Sequence, residues 1–146
     1  MESSPIAQQV LADLPLPAAQ WPRPVLIGIF GLPCSGKTEI TRFLAARHPL
    51  IALCTDAIRL RYNLTSGPDT HAVMFELVDA LLPRGYGVIL DGIHLGRKDR
   101  DRVLGVAQRH DARCWMMYAT AGLALCSSAS RHDAAGRRRH APKASL

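Results

Sequence analysis

The apolar positions of this chain fall into short unbroken runs, separated by helix-length stretches in which apolar residues recur every three or four positions. The first run, Val25-Leu26-Ile27-Gly28-Ile29-Phe30, predicts a strand buried on both faces. A helix over Lys37 to Arg47 follows and stops at His48-Pro49, because a residue before proline disfavours helical backbone. The second run, Leu50 to Thr55, predicts a strand that ends at Asp56. A helical turn then covers Ala57 to Leu64, broken by Thr65-Ser66-Gly67-Pro68. From Asp69 or Thr70, either able to cap a helix, the spacing places Val73, Leu77, Val78, Leu81 and Leu82 on one face, and Gly85 closes the element.

Gly87 to Asp91 predicts a third strand ending in a carboxylate. A helix from Arg97 to His110 follows, with Val103, Leu104, Val106 and Ala107 as its apolar side. A fourth strand spans Arg113 to Tyr118, and a last helix starts near Ala121. Strand and helix alternating at this spacing imply an α/β fold, with helices on both faces of a parallel sheet and right-handed crossovers. Ahead of it, residues 1–23 hold four prolines and one helix-compatible patch from Ile6 to Leu14, and are expected to form an N-terminal arm. Beyond Leu125 large apolar residues almost vanish, so residues 127–146 are expected to be a tail that adds no buried strand.

Between the first strand and its helix lies Gly31-Leu32-Pro33-Cys34-Ser35-Gly36-Lys37-Thr38, which satisfies G-x-x-x-x-G-K-[ST]. A triphosphate must be wrapped by successive backbone N–H groups, and Gly31 and Gly36 let the backbone come close enough. The helix that follows directs its unpaired N–H groups and its positive dipole end at the phosphates. Lys37 is expected to reach the β- and γ-phosphates and the Thr38 hydroxyl to ligate Mg²⁺. These residues predict a P-loop NTPase that binds ATP.

In an open parallel sheet, ligands sit at the carboxyl ends of the strands, where Asp56, Asp91 and the loop all fall. Asp91, after Val88 to Leu90, has the form of a Walker B carboxylate that holds Mg²⁺; its plainer use is to cap a turn with Gly92. Asp56 and Arg59 share one side of a helical turn. The carboxylate can accept the proton of a substrate hydroxyl and the guanidinium can bind an acidic group, or the two are a helix cap and a surface arginine. His94, in the loop after Asp91, either contacts substrate or is only solvated. Cys34 within the loop is explained by its small size.

Of 146 residues 48% are hydrophobic, enough for one domain with a real core. No apolar run reaches the length of a membrane span and Met1-Glu2-Ser3-Ser4 does not begin a signal peptide, so no membrane association and a cytoplasmic location are expected. Cys34, Cys54, Cys114 and Cys126 lack C-x-x-C spacing and read as reduced structural thiols. The net charge is +6, and +4 of it lies from Arg131 onward, a solvated tail or a contact for nucleic acid.

Taken together, the loop, Thr55-Asp56-Ala57-Ile58-Arg59 and Val88-Ile89-Leu90-Asp91-Gly92-Ile93-His94-Leu95-Gly96-Arg97-Lys98-Asp99-Arg100 resemble one family. It is the bacterial AAA-family ATP-binding proteins predicted to be kinases, similar to the 5′-hydroxyl kinase domain of polynucleotide kinase. The resemblance covers about residues 24–126. It implies a nucleoside-kinase-like P-loop core with Asp56 as general base, Arg59 and His94 on the substrate side and Asp91 near Mg²⁺. It also implies an arginine-bearing lid over the γ-phosphate, for which Arg131 is the first candidate and Arg137 to Arg139 the next.

Members of that family continue into a further strand and helix, so this sheet is expected to lack its last strand and residues 127–146 to be a lid remnant from a truncated or shifted reading frame. Three functions follow. They are transfer of the γ-phosphate of ATP to a hydroxyl of a small molecule or nucleic-acid 5′ end, an ATP-binding module without kinase turnover, and nucleic-acid binding by the basic tail.

Overall fold

A computed structural model of the chain describes residues 3–65, 67–92 and 96–120. Its elements in order are α1 (Pro5–Asp13), β1 (Val25–Gly31), α2 (Lys37–Arg47), β2 (Leu50–Cys54), α3 (Thr55–Arg61) and α4 (Gly67–Leu81). A 3-10 turn (Leu82–Arg84), β3 (Gly87–Asp91), α5 (Arg97–Arg109) and β4 (Arg113–Ala119) complete it. The four strands form one parallel sheet in the order β2-β3-β1-β4. β1 therefore lies inside, paired on both edges, which is why its run is apolar without alternation.

The sheet buries two clusters. On one face Leu26, Phe30, Leu53, Val88 and Leu90 meet α1, α3, α4 and α5; on the other Val25, Ile27, Ile29 and Ile89 pack with Ile40 and Leu44 of α2. The periodicity of α4 is met, with Val73, Leu77, Val78 and Leu81 all buried. On α5 Val103, Val106 and Ala107 are buried but Leu104 is 41% exposed, because the apolar stripe is narrower than the sequence suggested. β4 is an edge strand among the described residues, with Trp115 and Tyr118 half or more exposed. The expected last helix and the tail fall on residues 121–146, outside the described ones, and so does the expectation that the sheet lacks a last strand.

Several boundaries move for local reasons. Thr55, expected to end a strand, instead opens α3, so Asp56 sits in the first turn of a helix rather than at a strand end. α4 starts at Gly67 rather than at Asp69 or Thr70, and Asp69 falls in its first turn, where a carboxylate suits the helix dipole. Gly85 closes that region as expected, at φ 82°, after the 3-10 turn.

The N-terminal stretch is better integrated than an arm. Ser4 caps α1 by accepting from the Ala7 N–H, with Pro5 at the first helical position, while Ala7 and Val10 are buried in the larger cluster. The Ser4 N–H and Oγ–H both donate to Glu76 Oε2 at 2.7 Å, fixing α1 on α4. At its other end Asp13 accepts from Tyr62 Oη at 2.7 Å and from Arg61, tying α1 to the end of α3. α4 and α5 are joined by Asp79, which accepts from Arg109 at 2.9 Å and lies 2.7 Å from His110 Nε2.

Candidate functional site: a phosphate loop between two carboxylates

Strand register decides what meets at the carboxyl edge of the sheet. Ile29 of β1 lies opposite Asp91 of β3, and Asp91 opposite Cys54 of β2. The loop after β1, the end of β3 and the start of α3 are therefore level with one another, and Gly31, Asp91 and Asp56 come to one edge.

The loop itself is built by backbone conformations that most residues resist. Gly31 has φ 157°, and a Cβ there would lie 2.5 Å from the Ala119 carbonyl and 2.5 Å from Ser35 Oγ. Gly36, the residue before α2, has φ 89° and nothing within 4 Å of where a Cβ would stand. The space there is open, so only the left-handed backbone, and no protein atom, resists a side chain at this position. Cys34 also has positive φ, 62°, and is half-buried, in keeping with a small residue in a tight turn. Pro33 is exposed on the loop, while Ser35 is 8% exposed and its Oγ has no hydrogen-bond partner.

Lys37 extends across the loop. Its ammonium donates to the Gly31 carbonyl at 2.9 Å and to the Leu32 carbonyl at 2.7 Å, closing the turn. An ammonium has three N–H groups, so a third donor is left for an anion held by the loop.

Beside it, Asp91 is only 2% exposed, and its Oδ2 has no hydrogen-bond partner. Burial pushes its carboxyl above the usual carboxylate range. The hydrogen bond from the Thr38 hydroxyl, the Lys37 charge and the Thr41 hydroxyl pull it partly back, and the negative charge of Asp56 adds to the rise. The structure thus brings Lys37, Thr38, Asp91 and Asp56 within electrostatic reach of one another. Asp56 is 79% exposed at its side chain and pairs with Arg59 at 3.3 Å, so the sequence expectation that both point to one side is met. His94 and Arg131 lie outside the described residues.

The donor set fits Mg²⁺. A buried anionic oxygen without a partner, next to the Thr38 hydroxyl, is what a small hard cation requires of protein when phosphates and water supply the remaining ligands. Among the described residues no group of three or more His, Cys, Asp or Glu side chains is placed to hold a metal unaided.

Two residues here have no role assigned from the sequence. Thr41, 4% exposed, places its hydroxyl 3.0 Å from the Lys37 carbonyl and beside Asp91. Its position one helical turn after Lys37 and next to the core residue Ile40 is the only sequence signal. Thr55, 9% exposed, contacts the Asp91 backbone. Of the cysteines, Cys34, Cys54 and Cys114 are free thiols, and burial pushes the Cys114 thiol up, keeping it protonated. Cys126 is outside the described residues. Among the described residues no helix is long and apolar enough to cross a membrane.

The loop geometry makes one substitution informative. Gly36→Ala is expected to leave the fold intact, since the added methyl meets no protein atom, yet to force a left-handed backbone on alanine at a cost of about 1–2 kcal/mol and so to shift the loop's N–H groups. ATP affinity measured by calorimetry should fall by about tenfold or more; an unchanged affinity would mean the loop backbone at Gly36 is not where phosphate binds.

Comparison with known proteins agrees with this architecture. A family model described as an AAA domain, AAA_33, matches residues 26–146. No curated protein matches the chain. Among solved structures, the chain is similar to Chaetomium thermophilum Kti12 in complex with ADP-AlF3, at 24% identity and a TM-score of 0.60, over 75% of this chain and 68% of that one. It is similar to APE1195 at 19% identity and a TM-score of 0.59, over 83% and 75% of the two chains. A chain of the Pnkp1/Rnl/Hen1 complex matches at 16% identity and a TM-score of 0.59, over 75% of this chain and 40% of that one. At such identities the likeness is one of fold alone. With the family match spanning most of its length, the chain belongs to the AAA_33 family of AAA domains, and its nucleotide-binding P-loop fold is that of the family.

Proposed function

We propose that the protein transfers the γ-phosphate of ATP to a hydroxyl group of a small molecule or a nucleic-acid 5′ end. The observation that carries the reading is the buried, unpartnered Asp91 oxygen beside Thr38, level with a loop that Lys37 bridges. In this reading the backbone N–H groups from Cys34 to Thr38 and the start of α2 hold the β-phosphate. The free N–H of Lys37 offsets charge on the β- and γ-phosphates. Thr38 and Asp91 would hold Mg²⁺, which supplies further charge neutralisation and orients the phosphates.

On the other side Asp56 takes the proton of the acceptor hydroxyl as its oxygen bonds to the γ-phosphorus and the bond from that phosphorus to the bridging oxygen of ADP breaks. Arg59, released from Asp56, binds an acidic group of the acceptor. Arg131, with Arg137 to Arg139 as substitutes, is assigned to the lid over the γ-phosphate and His94 to the acceptor side. The basic segment from Arg131 onward suits a nucleic-acid acceptor.

Incubation with ATP labelled at the γ-phosphate and a panel of nucleosides, 5′-hydroxyl oligonucleotides and small alcohols tests the proposal. Label is expected to pass to one acceptor class, and Asp56→Asn to slow that transfer by about 100-fold or more while ATP still binds. Label released to water alone, or an Asp56→Asn enzyme as fast as the parent, would contradict it and favour a nucleotide-binding module without kinase turnover.

A further inference from the structure

We infer that Thr55 is a positioning residue that couples the two candidate carboxylates. Its hydroxyl holds the end of β3, and with it the Asp91 side chain, in register with the first turn of α3, where Asp56 stands. The inference rests on the nucleotide and Mg²⁺ reading given above.

Thr55 is a polar side chain with 9% exposure, and a buried hydroxyl needs a partner. Its Oγ1 lies 3.1 Å from the backbone carbonyl of Asp91, thirty-six residues away, and 3.1 Å from Met74 Sδ. A hydroxyl carries one proton, and a carbonyl is the stronger acceptor, so it donates to Asp91 and packs against the thioether. β3 leaves the sheet through Gly92, whose φ of 98° favours glycine. A Cβ at that position would come 2.7 Å from Thr55 Oγ1 and 3.1 Å from Thr55 Cβ. The exit turn of β3 is therefore folded directly onto the threonine.

Thr55 is also the first residue of α3 and follows Cys54, which lies opposite Asp91 in the ladder. The Asp91 peptide is thus held by its strand register, by the Thr55 hydroxyl and by the glycine turn. A carboxylate with one unpartnered oxygen can meet a cation only if its backbone is fixed, since a small rotation would turn Oδ2 away. Because the hydroxyl that fixes it belongs to the residue next to Asp56, any shift of α3 against β3 changes the spacing of both acids. No other side chain among the described hydrogen bonds joins α3 to the end of β3 in this way.

Calorimetric titration of the full chain with ATP, with and without MgCl2, reads this role without an acceptor. In Thr55→Val, which keeps the shape and removes the donor, the affinity without Mg²⁺ should stay within about twofold of the parent. The gain in affinity on adding Mg²⁺ should shrink by roughly three- to tenfold. Thr55→Ser, which keeps the donor, should restore most of the gain. A threonine that merely supported the fold would lower both affinities together.

A Mg²⁺ gain in Thr55→Val equal to the parent's, or a serine variant as impaired as the valine, would overturn the inference. Should Thr55→Val fail to fold by circular dichroism, Thr55→Ala against Thr55→Ser makes the same comparison, and equal gains in the two would overturn it. A parent chain whose ATP affinity ignores Mg²⁺ would overturn the metal reading, and this role with it. That failure shows in the unsubstituted protein and so is distinct from a failure of Thr55 alone.

Discussion

Replacing Lys37 by methionine is expected to reduce ATP affinity and any phosphoryl transfer by at least about 100-fold, the loss typical when a charged or hydrogen-bonding stabiliser is taken from a preorganised oxyanion site. Two effects add. The ammonium that offsets phosphate charge is gone, and so are the bonds at 2.9 and 2.7 Å that tie α2 to the Gly31 and Leu32 carbonyls, leaving the loop free to open. Lys37→Arg is not a conservative control, because a planar guanidinium cannot place a point charge between two converging carbonyls. The fold should survive, since the core on that face rests on Ile40, Leu44 and the strands rather than on Lys37. Equilibrium binding of a fluorescent ATP analogue beside a thermal melt separates the two outcomes. A Lys37→Met chain that binds as well as the parent would remove the loop from the account.

Asp91→Asn carries the second large effect, and it has opposite signs on function and on stability. Removing the charge next to Thr38 is expected to abolish the Mg²⁺-dependent part of ATP binding and to slow transfer by about 100-fold or more. The same change should stabilise the folded chain at neutral pH by on the order of 1 kcal/mol, because a buried carboxylate with a bare oxygen is costly to keep ionised.

The pH dependence follows from the raised carboxyl of Asp91. Between the ordinary aspartate value near 4 and the higher folded-state value, the folded chain binds more protons than the unfolded one. Its contribution to stability therefore falls as pH rises through that window. The asparagine variant lacks this slope, so urea midpoints of parent and variant should converge toward pH 4 and separate toward neutrality. A variant less stable than the parent at pH 7 would mean that the Asp91 charge is satisfied by its neighbours and is not held in reserve for a cation.

The site was legible where chemistry is local. Gly31 to Thr38 is contiguous, and its neighbours Val25 to Phe30 and Lys37 to Arg47 have unmistakable periods, so loop, strand and helix could be placed from sequence with the helix bounds matching. Asp91 was found because an unbroken apolar run ends on it, and burial of all five β3 residues explains that run. The roles of Thr41 and Thr55 are not legible in the sequence, even though Thr55 opens a motif, because what a buried threonine hydroxyl bonds to is not written in its neighbours. Their roles come from a partner brought close by strand order, and the order β2-β3-β1-β4 is a tertiary property.

α3 starts at Thr55, two residues before the expected Ala57, since Thr55 continues a β-favouring run and the tertiary bond to Asp91 overrides that propensity. At the N-terminus the helix-compatible patch from Ile6 to Leu14 is legible, whereas its start at Ser4 and Pro5 and its docking on α4 are set by the Ser4–Glu76 bonds, which are tertiary.

The central claim is that the loop between β1 and α2 holds the phosphates of a nucleotide against Asp91, and calorimetry of the intact chain with ATP and MgCl2 tests it most directly. The account predicts a one-site isotherm whose affinity falls when Mg²⁺ is removed, and which is lost in Lys37→Met. No heat with ATP or GTP at millimolar concentrations, or binding that Lys37→Met leaves intact, would contradict it.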